Sequence, residues 1–242
     1  MRQCPSCGFI LRENATAAGE HFCGKCGVFC TTADLNRTIT DNERRFFELA
    51  QAGRTAEAEG MLKPKKWLFF FQAKPLDANV RFPKNGFRPL HVAVSQQRNE
   101  FVAMLLRNGA DVNATGYDGR TPLHMASILD AAQCALLLVD GGADLNARTR
   151  AGITPLYDAA SSDSPNVLSL LLDRGADPTI SHSSGKESTA LHAAAEKGYS
   201  GVALKLAQRT SIEDLSACIK HAAWAKHTEL AQHLQEALAK RA

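Results

Sequence analysis

Thr121-Pro122-Leu123-His124 is one of four copies of a single phrase. Arg88-Pro89-Leu90-His91 precedes it, and Thr154-Pro155-Leu156-Tyr157 and Thr189-Ala190-Leu191-His192 follow, at steps of 33, 33 and 35 residues. A second phrase keeps the step of 33: Gly109-Ala110-Asp111, Gly142-Ala143-Asp144 and Gly175-Ala176-Asp177. Two motifs locked to one period mark a stack of like supersecondary units rather than one globular core.

The chemistry of one unit follows from its residues. Thr121 and Thr154 suit a helix N-cap, and the following proline suits the first helical position, where no N–H is needed. Ala126 and Ala159-Ala160 keep that helix slim enough for a neighbour to approach. Leu105-Leu106, Leu137-Leu138-Val139 and Leu170-Leu171-Leu172 give a second helix its apolar stripe. Gly109, Gly142 and Gly175 then stop it in a left-handed conformation. Each unit reads as loop, helix, turn, helix. Neither helix buries its apolar face alone, so neighbours stack.

These phrases resemble the ankyrin repeat family over roughly residues 41–241. The resemblance implies an all-α solenoid of about six helix-turn-helix units. Asp41–Ala52 and Thr55–Leu62, with Gly53 between, form a first unit lacking the phrase, as expected of a cap. In the last, degenerate unit Ile219-Lys220-His221-Ala222-Ala223 and Lys226-His227-Thr228-Glu229-Leu230 hold the family's slots; Arg98-Asn99-Glu100-Phe101 holds part of the latter slot in the second unit. Arg88, Tyr157 and Ala190 depart from the phrase, and the loop Ser181–Ser188 carries two extra residues. His91, His124 and His192 are implied to be structural, bonding backbone and the capping Thr.

The family binds proteins with its hairpin loops and first helices. The implied partner-binding residues are Lys84, Asn85 and Phe87, then Tyr117, Asp118 and Arg120, then Arg150 and Ile153, all exposed in loops. On the first helices they are Ser95, Gln96, Ile128, Leu129, Ser161 and Ser162. Their mixed polarity suits protein recognition.

The chain opens differently. Cys4-Pro5-Ser6-Cys7-Gly8 and Cys23-Gly24-Lys25-Cys26-Gly27 are two C-x-x-C-G turns separated by fifteen residues. Two residues between cysteines let one tight turn present both sulfurs, and zinc wants four tetrahedral ligands. Residues 1–30 resemble a zinc ribbon, with Cys4, Cys7, Cys23 and Cys26 as ligands of one structural Zn2+. So short a segment needs metal to fold. Cys30 reads as a spare thiol. A polar linker, residues 31–40, follows.

The repeat breaks its own rule once. Leu106 stands five residues before Asp111, but Leu62 stands fifteen before Asp77. The insertion, residues 63–74, includes Lys63, Lys65, Lys66, Trp67, Phe69, Phe70, Phe71 and Lys74. From Lys63 to Arg88 there are seven basic residues and one acidic, interleaved with aromatics. Five consecutive large apolar residues, Trp67–Phe71, predict burial against neighbouring elements. The same stretch, with the ribbon, supports an alternative reading as a nucleic-acid-associated regulator.

Composition points to no special solvent or polyanion. The chain of 242 residues is 45% apolar and 22% charged, with a formal charge of +3. The opening residues lack a signal-peptide h-region. Apolar runs such as Trp67–Phe71 and Ala135–Val139 are too short to span a bilayer. Five of the seven cysteines fall in the first 30 residues, a metal pattern rather than a disulfide one. A cytoplasmic, monomeric protein is expected. No Gly-rich phosphate loop, nucleophile elbow or zinc-protease motif is present. The sequence therefore predicts a non-enzymatic interaction adaptor with a protein partner; nucleic acid is not the expected ligand.

Overall fold

A computed structural model describes residues 20–22, 29–31, 40–62, 76–83, 85–182 and 189–241. It divides into two compact units, Met1–Pro122 and Leu123–Ala242. Twelve helices lie among the described residues. In the N-terminal unit they are α1 (Asp41–Ala52), α2 (Thr55–Leu62), α3 (Pro89–Ser95) and α4 (Asn99–Arg107). The C-terminal unit opens with α5 (Pro122–Ile128) and continues with α6 (Ala132–Asp140), α7 (Pro155–Ser161), α8 (Pro165–Asp173), α9 (Ala190–Lys197), α10 (Ser200–Ala207), α11 (Ile212–Trp224) and α12 (Thr228–Ala239). Two strands, β1 (Glu20–Phe22) and β2 (Phe29–Thr31), form an antiparallel pair in which Phe22 faces Phe29. The described helices fit an all-α repeat architecture.

Helix starts follow the sequence, with one substitution of chemistry. Thr40 and Glu43 form a capping box on α1, Glu43 N donating to Thr40 Oγ1 at 3.2 Å and Thr40 N to Glu43 Oε2 at 2.8 Å. Thr154 caps α7 by accepting from Tyr157 N at 3.2 Å. Arg88 has no hydroxyl to offer at the start of α3. There Arg88 N instead donates to His91 Nδ1 at 3.2 Å.

Helix ends explain how the insertion is tolerated. At the end of α4, Gly109 (φ +78°) turns left-handed; its N–H donates to Leu106 O at 3.1 Å, and Ala110 N donates to Leu105 O at 3.0 Å. This paired closure satisfies the last helical carbonyls. After α2, Leu76 N donates to Met61 O, also at 3.0 Å. Leu76 precedes Asp77 as Ala110 precedes Asp111, so Met61 holds the place of Leu105. The bond that ends an ordinary second helix is kept across ten additional residues. The chain departs and returns at one point, and the period resumes. Residues 63–75, with Trp67–Phe71, lie outside the described residues.

Packing is layered within each unit. In the C-terminal unit the first helices stack as α7–α9–α11 and the second helices as α6–α8–α10–α12. Leu138, Leu168, Leu171, Leu191 and Leu206 are fully buried. In the N-terminal unit α1 packs on α2 and α3. Phe46 and Phe101 meet at 6.1 Å between ring centroids, and Phe47 meets Phe82 edge-on at 4.9 Å.

The turn inside each helix pair needs one left-handed residue. Gly53 and Gly198 fill it without strain, but Gln97, Asp130, Asp163 and Lys226 hold φ of 48° to 65° there. A non-glycine residue pays about 1–2 kcal/mol for that conformation. Gln97→Gly is therefore expected to raise stability by about 1 kcal/mol after the glycine's own entropy cost is subtracted. Gly198→Ala is expected to lower it by more, because the added methyl also meets His227 Nδ1 at 2.6 Å. Urea midpoints of the two variants check both signs.

Candidate functional site

Three sets of bonds couple one repeat to the next, and the first draws on the phrase residues. First, the phrase histidines reach forward. His91 Nδ1 already accepts from Arg88 N, so Nε2 carries the hydrogen and donates to Arg120 O at 3.1 Å. His124 Nε2 donates in the same way to Ile153 O at 3.0 Å. His192 instead sits 2.8 Å, Nδ1 to Oγ1, from its own capping Thr189. Second, asparagines form a ladder. Asn79 Oδ1 accepts from Asp111 N at 2.7 Å while its Nδ2 donates to Gly109 O at 3.0 Å, and Asn146 Oδ1 accepts from Asp177 N at 2.9 Å. Third, the residue opening a second helix reaches back to the preceding helix pair. Arg98 Nε donates to Gln51 O at 3.3 Å, and His227 Nε2 to Glu196 O at 2.9 Å.

Asp130 reverses that last device. Its carboxylate accepts from Asn166 N at 3.1 Å, Val167 N at 2.9 Å and Asn166 Nδ2 at 2.7 Å. It caps α8 from the preceding repeat, where the local Ser164 makes no side-chain cap. Surface ion pairs repeat outside these bonds: Arg174–Asp140 at 2.7 Å and Arg209–Asp173 at 3.4 Å. Exposed as they are, such pairs contribute little.

The expected binding residues divide according to these bonds. In the N-terminal unit two loops are tied together by Tyr117 N donating to Asn85 O at 3.0 Å. Asn85 Oδ1 also accepts from Phe87 N at 3.0 Å. Phe87 is half-buried, stacked on His91 at 4.9 Å and 4°. Tyr117, expected at the surface, is instead only 3% exposed. Its ring lies over Gly86, as the Phe87 ring lies over Gly116, and a Cβ at either glycine would meet it within 3 Å. The missing side chains make the room. Arg81 lies over the Tyr117 ring, 5.7 Å from its centroid. Tyr117 is therefore a lock between two loops and is removed from the binding set.

Asp118 and Arg120 are paired, Arg120 Nη1 to Asp118 Oδ2 at 2.8 Å, and each keeps about a third of its side chain exposed (34% and 33%). Ser95 and Ile128 are half-buried; Gln96 and Leu129 are exposed, Leu129 at 39%. Arg150 is exposed and Ile153 half-buried. Ser161 and Ser162 are half-buried, and Ser161 O accepts from Lys197 Nζ at 2.5 Å. Lys84, and the cysteines Cys4, Cys7, Cys23 and Cys26, lie outside the described residues.

The first-helix ends form a series that continues beyond the expected residues. Ser95, Ile128, Ser161, Glu196 and Trp224 occupy one slot, at steps of 33, 33, 35 and 28 residues. The last step is short because Thr210 runs straight into α11 without a hairpin loop. Trp224 is 83% exposed. Counting from Ile219, which holds the phrase-leucine slot, would have placed it there from sequence; the changed step hid it.

Residues 72–126 match the family model Ankyrin repeats (many copies), and residues 114–182 match Ankyrin repeats (3 copies). The matched helices, α3 to α8, are ankyrin repeats. No curated protein matches the chain. Ankyrin repeats generally mediate protein–protein interaction, and proteins built from them are generally non-enzymatic interaction modules. The helix pairs α9–α10 and α11–α12 lie beyond the matched stretch. They carry a bond between helix pairs, His227 to the Glu196 carbonyl, of the same kind as that of Arg98 to the Gln51 carbonyl.

Other chemistry is spoken for. One groove of about 400 Å³ lies between α10 and α12, lined by Leu204, Ala207, His233, Glu236, Lys240 and Arg241 among others. Arg241 spends its guanidinium on the carbonyls of Ala207 and Thr210, at 2.5 and 2.7 Å. Cys134 and Cys218 are buried and form no disulfide, and burial pushes the Cys134 thiol up to about 11, away from the reactive thiolate. No described helix is long and apolar enough to cross a membrane.

Proposed function

We propose that this chain is a non-enzymatic adaptor that binds a protein partner through its loop tips and first-helix ends. One observation carries the reading. The phrase residues are engaged within the fold, His91 and His124 on carbonyls of the next repeat and Thr154 and His192 inside their own, whereas the paired slots Ser95–Gln96, Ile128–Leu129, Ser161–Ser162 and Glu196–Lys197 reach solvent and differ chemically from repeat to repeat. A scaffold that holds its geometry constant and varies only its exposed residues is suited to recognition. The test is affinity capture on the full chain beside Leu129→Asp/Arg150→Glu. A defined partner set should be lost by the variant while its thermal transition stays put. Capture of an unchanged set by the variant would reject the surface.

The N-terminal cysteines add a second part to the proposal: Cys4, Cys7, Cys23 and Cys26 hold one structural zinc. Support comes from the β1–β2 pairing. Phe22 and Phe29 are paired residues of β1 and β2, so the two strands flank the second C-x-x-C phrase in the sequence. Four thiolates close the coordination shell, so the ion would order the segment and leave no position for substrate. Freshly purified, reduced protein is expected to carry about one equivalent of zinc. Cys26→Ser is expected to lose the metal and keep the helical circular dichroism, because the repeats have their own core. Metal-free wild-type protein would rule the site out.

A further inference from the structure

Trp224 ends α11 with 83% of its surface exposed, far more than the 39% of Leu129 and 47% of Ile212. Burying an aromatic is among the larger gains available to a protein, so an indole left this bare has no role in the fold. Three exposed lysines stand in the neighbouring slots. Lys220 lies one helical turn before it and is exposed; Lys226 follows two residues later and is exposed; Lys197 is exposed in the adjoining slot of the preceding repeat. Glu196, in the same slot of the preceding repeat, and Glu229, in the first turn of α12, are the carboxylates set against these three lysines. Glu213 and Asp214 stand at the opposite end of α11. The nearby imidazoles are engaged within the fold: His221 packs edge-on against His192 at 5.4 Å, and His227 is spent on Glu196 O.

We propose that Trp224, with Lys197, Lys220 and Lys226, is the docking point for an acidic segment of a partner protein. A bulky apolar side chain of that segment covers the indole, and its flanking carboxylates face the lysines. Charge complementarity selects this occupant over a basic or neutral one. Exposed lysine–carboxylate pairs are individually weak, so the indole supplies the anchor and the lysines supply sign and salt sensitivity. The inference rests on reading the repeats as protein-binding, and it names the chemistry of the partner.

The probe is a fluorescein-labelled peptide, Asp-Glu-Leu-Phe-Glu-Asp, titrated with the full chain and followed by anisotropy. Saturable binding that weakens as salt is raised is expected. Trp224→Ala should weaken it about tenfold, the effect of losing one anchor. Lys197→Glu/Lys220→Glu/Lys226→Glu should abolish it. Trp224 is exposed, so the melting transition should not move in Trp224→Ala; Lys197 also bonds Ser161 O, so Lys220→Glu/Lys226→Glu, which keeps that bond, should weaken binding with the melting transition unmoved. A shift in tryptophan emission on binding should vanish in Trp224→Phe, which leaves only Trp67. Four results overturn the proposal: no binding, equal binding of the Lys-for-acid counterpart peptide, undiminished binding by Trp224→Ala, or self-association that Trp224→Ala abolishes, which would make a second copy the occupant. None of these touches the dependence of partner capture on Leu129 and Arg150, so the two readings fail separately.

Discussion

Leu138→Ala and Leu171→Ala are each expected to destabilise their repeats by about 2–5 kcal/mol. Both side chains are fully buried, on α6 and α8, which pack on one another. Their backbone carbonyls also accept the closing bonds from Ala143 N at 3.0 Å and Ala176 N at 2.9 Å. A cavity there removes contact from two helices at once. The neighbouring leucines provide the control. Leu137 and Leu170 are half-buried on the same helices, so truncating them should cost clearly less. Repeat stability is a sum of local and nearest-neighbour terms, so loss should spread to adjoining repeats first. Because α6 and α8 touch, the double variant should not show a simple sum. Denaturant curves of the four single variants decide the matter: equal costs for Leu137 and Leu138 would mean that the helix faces are assigned wrongly.

The contrast between those leucines shows which parts of this protein are written in its sequence. Helix positions, their caps and the buried stripe follow from residues within one unit, and the 33-residue step repeats them often enough to read. Bonds between units depend on residues about thirty positions apart, and periodicity alone does not say what such residues touch. His91 illustrates this: its phrase suggested bonds to backbone and to the capping position, and both are present, but the phrase did not say that the carbonyl Nε2 serves lies 29 residues on. Asp130 was silent for the same reason, since a carboxylate that caps the following repeat looks in sequence like an ordinary turn residue. Tyr117 misled because exposure at a loop tip depends on what faces it, here Gly86. Trp224 was hidden by a different cause, the shortened final step.

Acidification is expected to loosen the N-terminal unit through His91. Burial, aided by the Arg88 guanidinium, holds this imidazole down to about 4 from an ordinary 6.5, against opposing pulls from the Arg120 carbonyl and the carboxylates of Asp118 and Asp111. The geometry gives the same answer: a proton on Nδ1 would point at the N–H of Arg88, which that nitrogen now accepts. The sign follows from proton uptake. Between pH 6.5 and 4 the unfolded chain binds the extra proton and the folded chain does not. The contribution is therefore complete above about pH 6.5 and is lost as pH falls toward 4, to a total of about 3 kcal/mol. Between pH 7 and pH 5 the loss from this group is about 2 kcal/mol. His91→Gln should lower stability at pH 7, because the stacked ring and its place between Arg88 and Arg120 are lost. It should also flatten the dependence between pH 7 and pH 5. Titration of the His91 ring by NMR reads the cause directly. A midpoint near 6.5, or a His91→Gln profile parallel to wild type, would show that the buried imidazole is not what makes the unit acid-sensitive.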